Sequence, residues 1–120
     1  MPVDPKRGEI WMVSLEPVVG QELNSHGFTR PCIVISSDSI RVRAIRTVIP
    51  LSSWRERHSG DPLRIPVVKT STNGLDNDSS ADSTQVRTIA LERFDYRRGM
   101  VTADELEAIV YAVGVVIEHP

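Results

Sequence analysis

The chain has 120 residues, of which 40% are hydrophobic and 25% charged, with one cysteine and a formal net charge of -2. That length suits one hydrophobic core, and two smaller pieces would each bury too little to stand alone, so residues 1–120 are read as a single domain. The composition excludes a disordered chain, no apolar run is long enough to cross a bilayer, and a lone cysteine excludes an internal disulfide and a cysteine-built zinc cage. No apolar segment follows the charged, proline-containing Met1 to Arg7, so a secretory signal is not expected and a cytoplasmic protein is.

In chain order, Glu9 to Leu15 is bulky and partly alternating and stops at Glu16-Pro17, which predicts a first strand. Gly20 to Thr29 is polar, contains two glycines and joins two apolar runs, so it reads as a long hairpin loop. Cys32 to Ser36 is short and apolar, as expected of a central strand buried on both faces, with Cys32 in the core. Ala44 to Leu51 is a third strand that Pro50 should end or bulge, and Leu63 to Val68 is a fourth, marked as an edge or bulge by Pro66. Asn73-Gly74 signals a turn that Leu75 to Ser80 prolongs, and Ser83 to Ile89 is the fifth strand. A helical turn follows at Leu91 to Phe94. Thr102 caps a terminal helix with Glu105 as its capping-box partner, and Leu106, Ile109, Val110, Val113 and Ile117 form the apolar stripe. Gly114 within that stripe points to a close approach or to a merely tolerated glycine. Five or six strands and one helix suit a small curled β-barrel.

The net charge hides an asymmetry. Residues 1–69 hold ten Lys and Arg against seven acids, and residues 70–120 hold four against nine. Arg41, Arg43, Arg46, Arg55, Arg57 and Arg64 would make a positive face for a phosphate backbone if strand alternation pointed them the same way; otherwise they are a solvated surface. Asp76, Asn77, Asp78 and Asp82 lack the glycine and bidentate glutamate of a calcium loop and read as a solvated turn, so no metal site is expected.

Five ordered pieces carry a resemblance. Lys6-Arg7-Gly8-Glu9-Ile10-Trp11 opens the first strand, and Leu15-Glu16-Pro17-Val18-Val19-Gly20-Gln21-Glu22 leaves it. Thr29-Arg30-Pro31-Cys32-Ile33-Val34-Ile35-Ser36, Val48-Ile49-Pro50-Leu51-Ser52 and Gln85-Val86-Arg87-Thr88-Ile89 follow. Together they resemble the MazF/PemK toxins. The resemblance implies an SH3-like barrel of five to seven strands with a C-terminal helix, a homodimer, an antitoxin partner, and cleavage of single-stranded RNA with no cofactor. In that chemistry the ribose 2′-hydroxyl attacks, leaving a 2′,3′-cyclic phosphate and a 5′-hydroxyl.

Arg30 matches the family's catalytic arginine, and a guanidinium suits the charge that gathers on the non-bridging oxygens. Ser52 falls where the family often has threonine, with Ser53 the alternative one place on. Glu22 matches a loop position near the RNA, for acid–base help or base recognition. Gln85 has edge-reading potential, and Asn24 and His26 share the loop as RNA-binding candidates. Arg87 is expected to be structural or to pair with an acid at the dimer interface. Some relatives carry a histidine after the loop glycine and an aspartate before the glutamine; here Gln21 and Thr84 stand there, so a His/Asp scheme does not carry over. His26 is the candidate substitute, while His58 and His119 have weaker claims. The alternative from another class is a non-catalytic toxin on the same barrel that poisons a protein such as DNA gyrase.

Overall fold

The computed structural model describes residues 3–17, 19–23 and 28–120. Seven antiparallel strands form one curled sheet: β1 (Glu9–Val13), β2 (Arg30–Val34), β3 (Ile45–Ser53), β4 (Arg64–Val67), β5 (Ser79–Asp82), β6 (Arg87–Ala90) and β7 (Phe94–Met100), followed by helix α1 (Ala103–Val116). The order across the sheet is β4-β5-β3-β2-β1-β7, and β6 pairs with the first half of β3. β1 and β2 form the expected hairpin, with Val13 opposite Arg30. β2 is central, as expected, lying between β1 and β3.

The two-residue period of the central strands explains why they are apolar throughout. Ile10, Ile33, Ile49 and Leu51 point into one cluster with Ile109 of α1, while Trp11, Val13, Cys32, Val34 and Val48 point into a second with Ile89 and Phe94. Trp11 and Phe94 meet edge to face at 5.9 Å. Burial pushes the Cys32 thiol up to about 12, so it is a protonated core side chain.

The third strand differs from expectation at Pro50, which lies inside β3 rather than at its end. β3 changes partner there: Ile45 to Val48 pair with β6, and Leu51 to Ser53 pair with β5. The Ile35 N–H donates to the Thr47 carbonyl at 2.9 Å, which sets the phase of the β2–β3 ladder. Alternate residues Thr47, Ile49 and Leu51 therefore turn their backbone groups towards β2, and Pro50 turns its nitrogen towards the opposite edge. The missing N–H falls where β6 has ended and β5 has just begun. Pro66 sits on the edge strand β4, as expected.

The expected fifth strand is corrected. Ser83–Gln85 is a 3-10 turn and the strand is β6, while β5 and β7 form where the sequence signalled turns or nothing. All four residues of β5 are buried. Their small side chains fit between β3 and β4. In β7, Arg97 reaches Glu9 at 2.7 Å, and Gly99 lies so close to the 70–75 loop that a Cβ would stand 2.4 Å from the Thr72 carbonyl oxygen. Gly74, at φ +70°, is held from the other side by the Arg98 backbone, 2.3 Å from where its Cβ would be. Buried Asn73 shapes this loop, donating to the Val68 carbonyl and accepting from the Thr70 and Leu75 N–H groups.

Thr102 and Glu105 form the expected capping box, with bonds of 3.0 and 2.9 Å. The helix buries Ile109 and Ala112 and packs Leu106 and Val113 on the first cluster, whereas Val110 and Ile117 of the expected stripe are exposed. A Cβ at Gly114 would meet only the His119 carbonyl at 3.6 Å, so this is a tolerated glycine. The 3-10 turn at Leu91–Arg93 matches the expected helical turn. Among the described residues no helix is long and apolar enough to cross a membrane.

Gly99→Ala drives a methyl group into rigid backbone and is expected to destabilise the fold by roughly 3 kcal/mol, at the upper end of overpacking costs. The check is the urea midpoint at unchanged slope.

Candidate functional site

The resemblance put Arg30 at the centre, and its local sequence explains how it is held. In the phase set by the Ile35–Thr47 bond, Pro31 of β2 faces Leu51 of β3 and has no N–H to offer its carbonyl. The Arg30 Nη1 donates to that carbonyl instead, at 2.9 Å. The Arg-Pro pair thus pins a guanidinium at the mouth of the sheet beside the last residues of β3.

There Arg30, Ser52 and Ser53 line a cavity of about 210 Å³ whose far wall is Asp76, Asn77 and Arg98. Ser52 lies opposite Ser80 of β5, their hydroxyls 3.4 Å apart. Arg98 is anchored by the Gly74 carbonyl and by Asp76 at 3.4 Å. A second cavity of about 320 Å³ shares Arg30, Ser52 and Ser53 with the first and is lined besides by Leu23, Arg55, Arg57, His58 and Arg64.

Glu22 and Gln85 are brought together elsewhere, in a cavity of about 290 Å³ beside Thr84 and Arg87. The Gln85 amide oxygen accepts the Leu23 N–H at 3.1 Å and its nitrogen donates to the Gln21 carbonyl at 3.4 Å. Gln85 thereby ties down the segment that carries Leu23 to the Arg30 site. Glu22 accepts the Val19 N–H within its own loop. Asn24 and His26 lie outside the described residues. The Nη1 of Arg87 is buried without a hydrogen-bond partner among the described residues.

Of the two readings the six arginines left open, neither holds for all of them: Arg43 is exposed on its own, and the other five divide. Arg46 is 1% exposed, its guanidinium donating to the Pro5, Arg43 and Ile45 carbonyls and pairing with Asp4 at 3.0 Å. Arg41 also pairs with Asp4, and together they hold that carboxyl down at about 2. These two arginines brace the N-terminal segment, so only Arg55, Arg57 and Arg64 of the six join Arg30. Of the acidic turn residues, Asp78 accepts the Lys69 N–H, and Asp82 accepts from Thr84 and pairs with Arg64.

Sequence reading gave His58 too little weight. It is buried, its Nδ1 accepts the Arg55 N–H at 3.1 Å, and Trp54 packs against it edge to face at 5.5 Å. Burial lowers its pKa, and the guanidinium groups of Arg64, Arg57 and Arg55 lower it further against the opposing pull of Asp61. The signal was the run Trp54-Arg55-Glu56-Arg57-His58, in which arginines flank a histidine within one 3-10 turn.

The fold is that of the MazF structures. A MazF crystal structure from Deinococcus radiodurans superposes with a TM-score of 0.79 at 18% identity, covering 97% of this chain and 98% of that one. An endoribonuclease in complex with its cognate antitoxin, from Mycobacterial species, gives 0.74 at 17% identity over 97% of each chain. In sequence, the chain is 36% identical over 107 residues to the endoribonuclease MazF9 of Mycobacterium tuberculosis, spanning 84% of this chain and 86% of that protein. Residues 6–117 match the family described as PemK-like, MazF-like toxin of type II toxin-antitoxin system. The chain belongs to that family.

Because folded His58 releases its proton more readily than a free imidazole of pKa 6.5, the unfolded chain binds more protons below that value. Stability is therefore expected to fall as pH drops through and below 6.5. His58→Asn keeps an acceptor for the Arg55 N–H and should flatten this dependence, as read by thermal melts across pH.

Proposed function

We propose that the chain is a metal-independent endoribonuclease toxin that cuts single-stranded RNA at the Arg30–Ser52 site. The observation that carries this reading is the convergence of a pinned guanidinium and two serine hydroxyls on one cavity in a chain of this family. The ribose 2′-hydroxyl attacks the adjacent phosphorus, the 5′-oxygen leaves, and the proton lost by one oxygen is replaced on the other, giving a 2′,3′-cyclic phosphate and a 5′-hydroxyl. Arg30 faces the non-bridging oxygens as charge builds on them, and its attachment to the Leu51 carbonyl means little reorganisation at that moment. Ser52 donates to the same phosphate, with Ser53 beside it. Glu22 and Gln85 contact RNA from the neighbouring cavity, together with Asn24 and His26 of the same loop.

The protein acts in the cytoplasm as a homodimer and is restrained by a cognate antitoxin. In support of pairing, α1 exposes Tyr111 and Val115, its C-cap Ile117 is exposed too, and β7 is an edge strand exposing Tyr96 and Met100. The antitoxin reading rests on the family and on the mycobacterial complex.

Purified protein incubated with long RNA in EDTA should leave 5′-hydroxyl ends. Arg30→Ala should lower kcat by roughly 10²- to 10³-fold, as loss of a transition-state donor does, with a modest fall in melting temperature from the donor lost to the Leu51 carbonyl. Intact RNA alongside inhibited gyrase would sink the proposal. Pro31→Ala restores a ladder donor that competes with the Arg30 guanidinium for the Leu51 carbonyl. Activity should fall while stability holds or rises, measured on the same preparation.

A further inference from the structure

The cavity that shares Arg30, Ser52 and Ser53 with the cleavage site is also lined by three arginines that the cleavage step does not use, Arg55, Arg57 and Arg64. Arg64 shares its charge with Asp61 at 3.7 Å and Asp82 at 3.4 Å, but Arg55 and Arg57 are exposed and carry no ion pair among the described residues. Among the described residues no carboxylate lines the cavity. Keeping several guanidinium groups together without matching acids opposes folding by self-repulsion, and it creates a field that concentrates anions.

The arrangement is positioned by backbone. The Arg55 N–H to His58 Nδ1 bond and the Trp54–His58 contact fold the Glu56–His58 turn. That turn sets Arg55 and Arg57 beside Arg64 at the start of β4. The imidazole registers the resulting field: its lowered pKa owes something to each of the three guanidinium groups, with Asp61 the one carboxylate opposing them. Arg30, Ser52 and Ser53 belong to both cavities, so an anion here would neighbour the scissile position.

We propose that Arg55, Arg57 and Arg64 form a second phosphate subsite that holds the phosphodiester next to the one being cut, on the same RNA strand. The inference rests on the endoribonuclease reading above and deepens it. Gripping two consecutive phosphates fixes the intervening ribose, which brings its 2′-hydroxyl into line with the phosphorus. Such contacts carry no base information, so this subsite sets register and leaves sequence choice to the loops.

The test uses a short mixed-sequence 2′-O-methyl RNA, which has no attacking hydroxyl, with binding followed by anisotropy over a salt series. Arg55→Gln/Arg57→Gln should weaken binding and reduce the slope of log K against log salt by about 0.7, the value for one phosphate contact on a single strand. Arg55→Lys/Arg57→Lys should restore most of that slope, which a misfolded protein would not do. Arg43→Gln, away from both cavities, should match wild type. In cleavage of long RNA the glutamine variant should raise KM more than it lowers kcat. The His58 imidazole, followed by NMR, should titrate at higher pH once the 2′-O-methyl RNA is bound. A wild-type slope in the glutamine variant, or a His58 titration unmoved by RNA, overturns the subsite. Failure of wild type to cut RNA overturns the endoribonuclease reading instead, and the salt slope still decides the subsite.

Discussion

The site depends on two backbone donors that are missing. Pro31 and Pro50 lie on adjacent strands, and each removes an N–H from a ladder that would otherwise be continuous. At Pro50 the gap falls between β6 and β5, so β3 can serve one half of the sheet with its first residues and the other half with its last. At Pro31 the gap exposes the Leu51 carbonyl, and Arg30 fills it. The first places Ser52 and Ser53 at the end of a strand shared by both halves; the second fixes a cation beside them. An unbroken ladder would give the Leu51 carbonyl a backbone donor and close the opening that the Arg30 guanidinium fills.

Charge is divided between bracing and binding. Arg46 is spent on the interior, where three carbonyls and Asp4 satisfy it and fasten the N-terminal segment to β3. A buried guanidinium is tolerated only with that many acceptors. Arg98 is used in the same way near the cavity, tying β7 to the Gly74 carbonyl and Asp76. Around the second cavity Arg55 and Arg57 carry no ion pair among the described residues, and burial together with the guanidinium groups of Arg64, Arg57 and Arg55 lowers the pKa of His58. An overall charge of -2 therefore says little about the local field an approaching phosphate meets.

How much of this the sequence disclosed follows from the kind of signal each element leaves. The capping box at Thr102 and Glu105 is local chemistry and is seen as expected. The central place of β2 is equally local, because Cys32, Ile33 and Val34 need apolar neighbours on both sides. β5 is opaque because Ser79 and Ser80 are turn formers by habit and become strand only by fitting between β3 and β4. β7 is opaque because Asp95, Arg97 and Arg98 mask an edge strand whose contacts, Glu9 and the 74–76 loop, are distant in sequence. The burial of Arg46 depends on Pro5, some forty positions away, and no window of local pattern contains it. Arg30 was located by its motif, whereas its attachment to the Leu51 carbonyl needed the register of two strands.

The close fit of Gly74 and Gly99 has a temporal consequence. The wall formed by Asp76, Asn77 and Arg98 is held in place by β7, which follows β1 to β6 in the chain. A nascent chain that has released β1 to β6 has Arg30 and Ser52 but only part of the cavity around them. Completion of the site is thereby deferred until β7 has been made, and a fragment that stops before β7 carries the machinery without the enclosure.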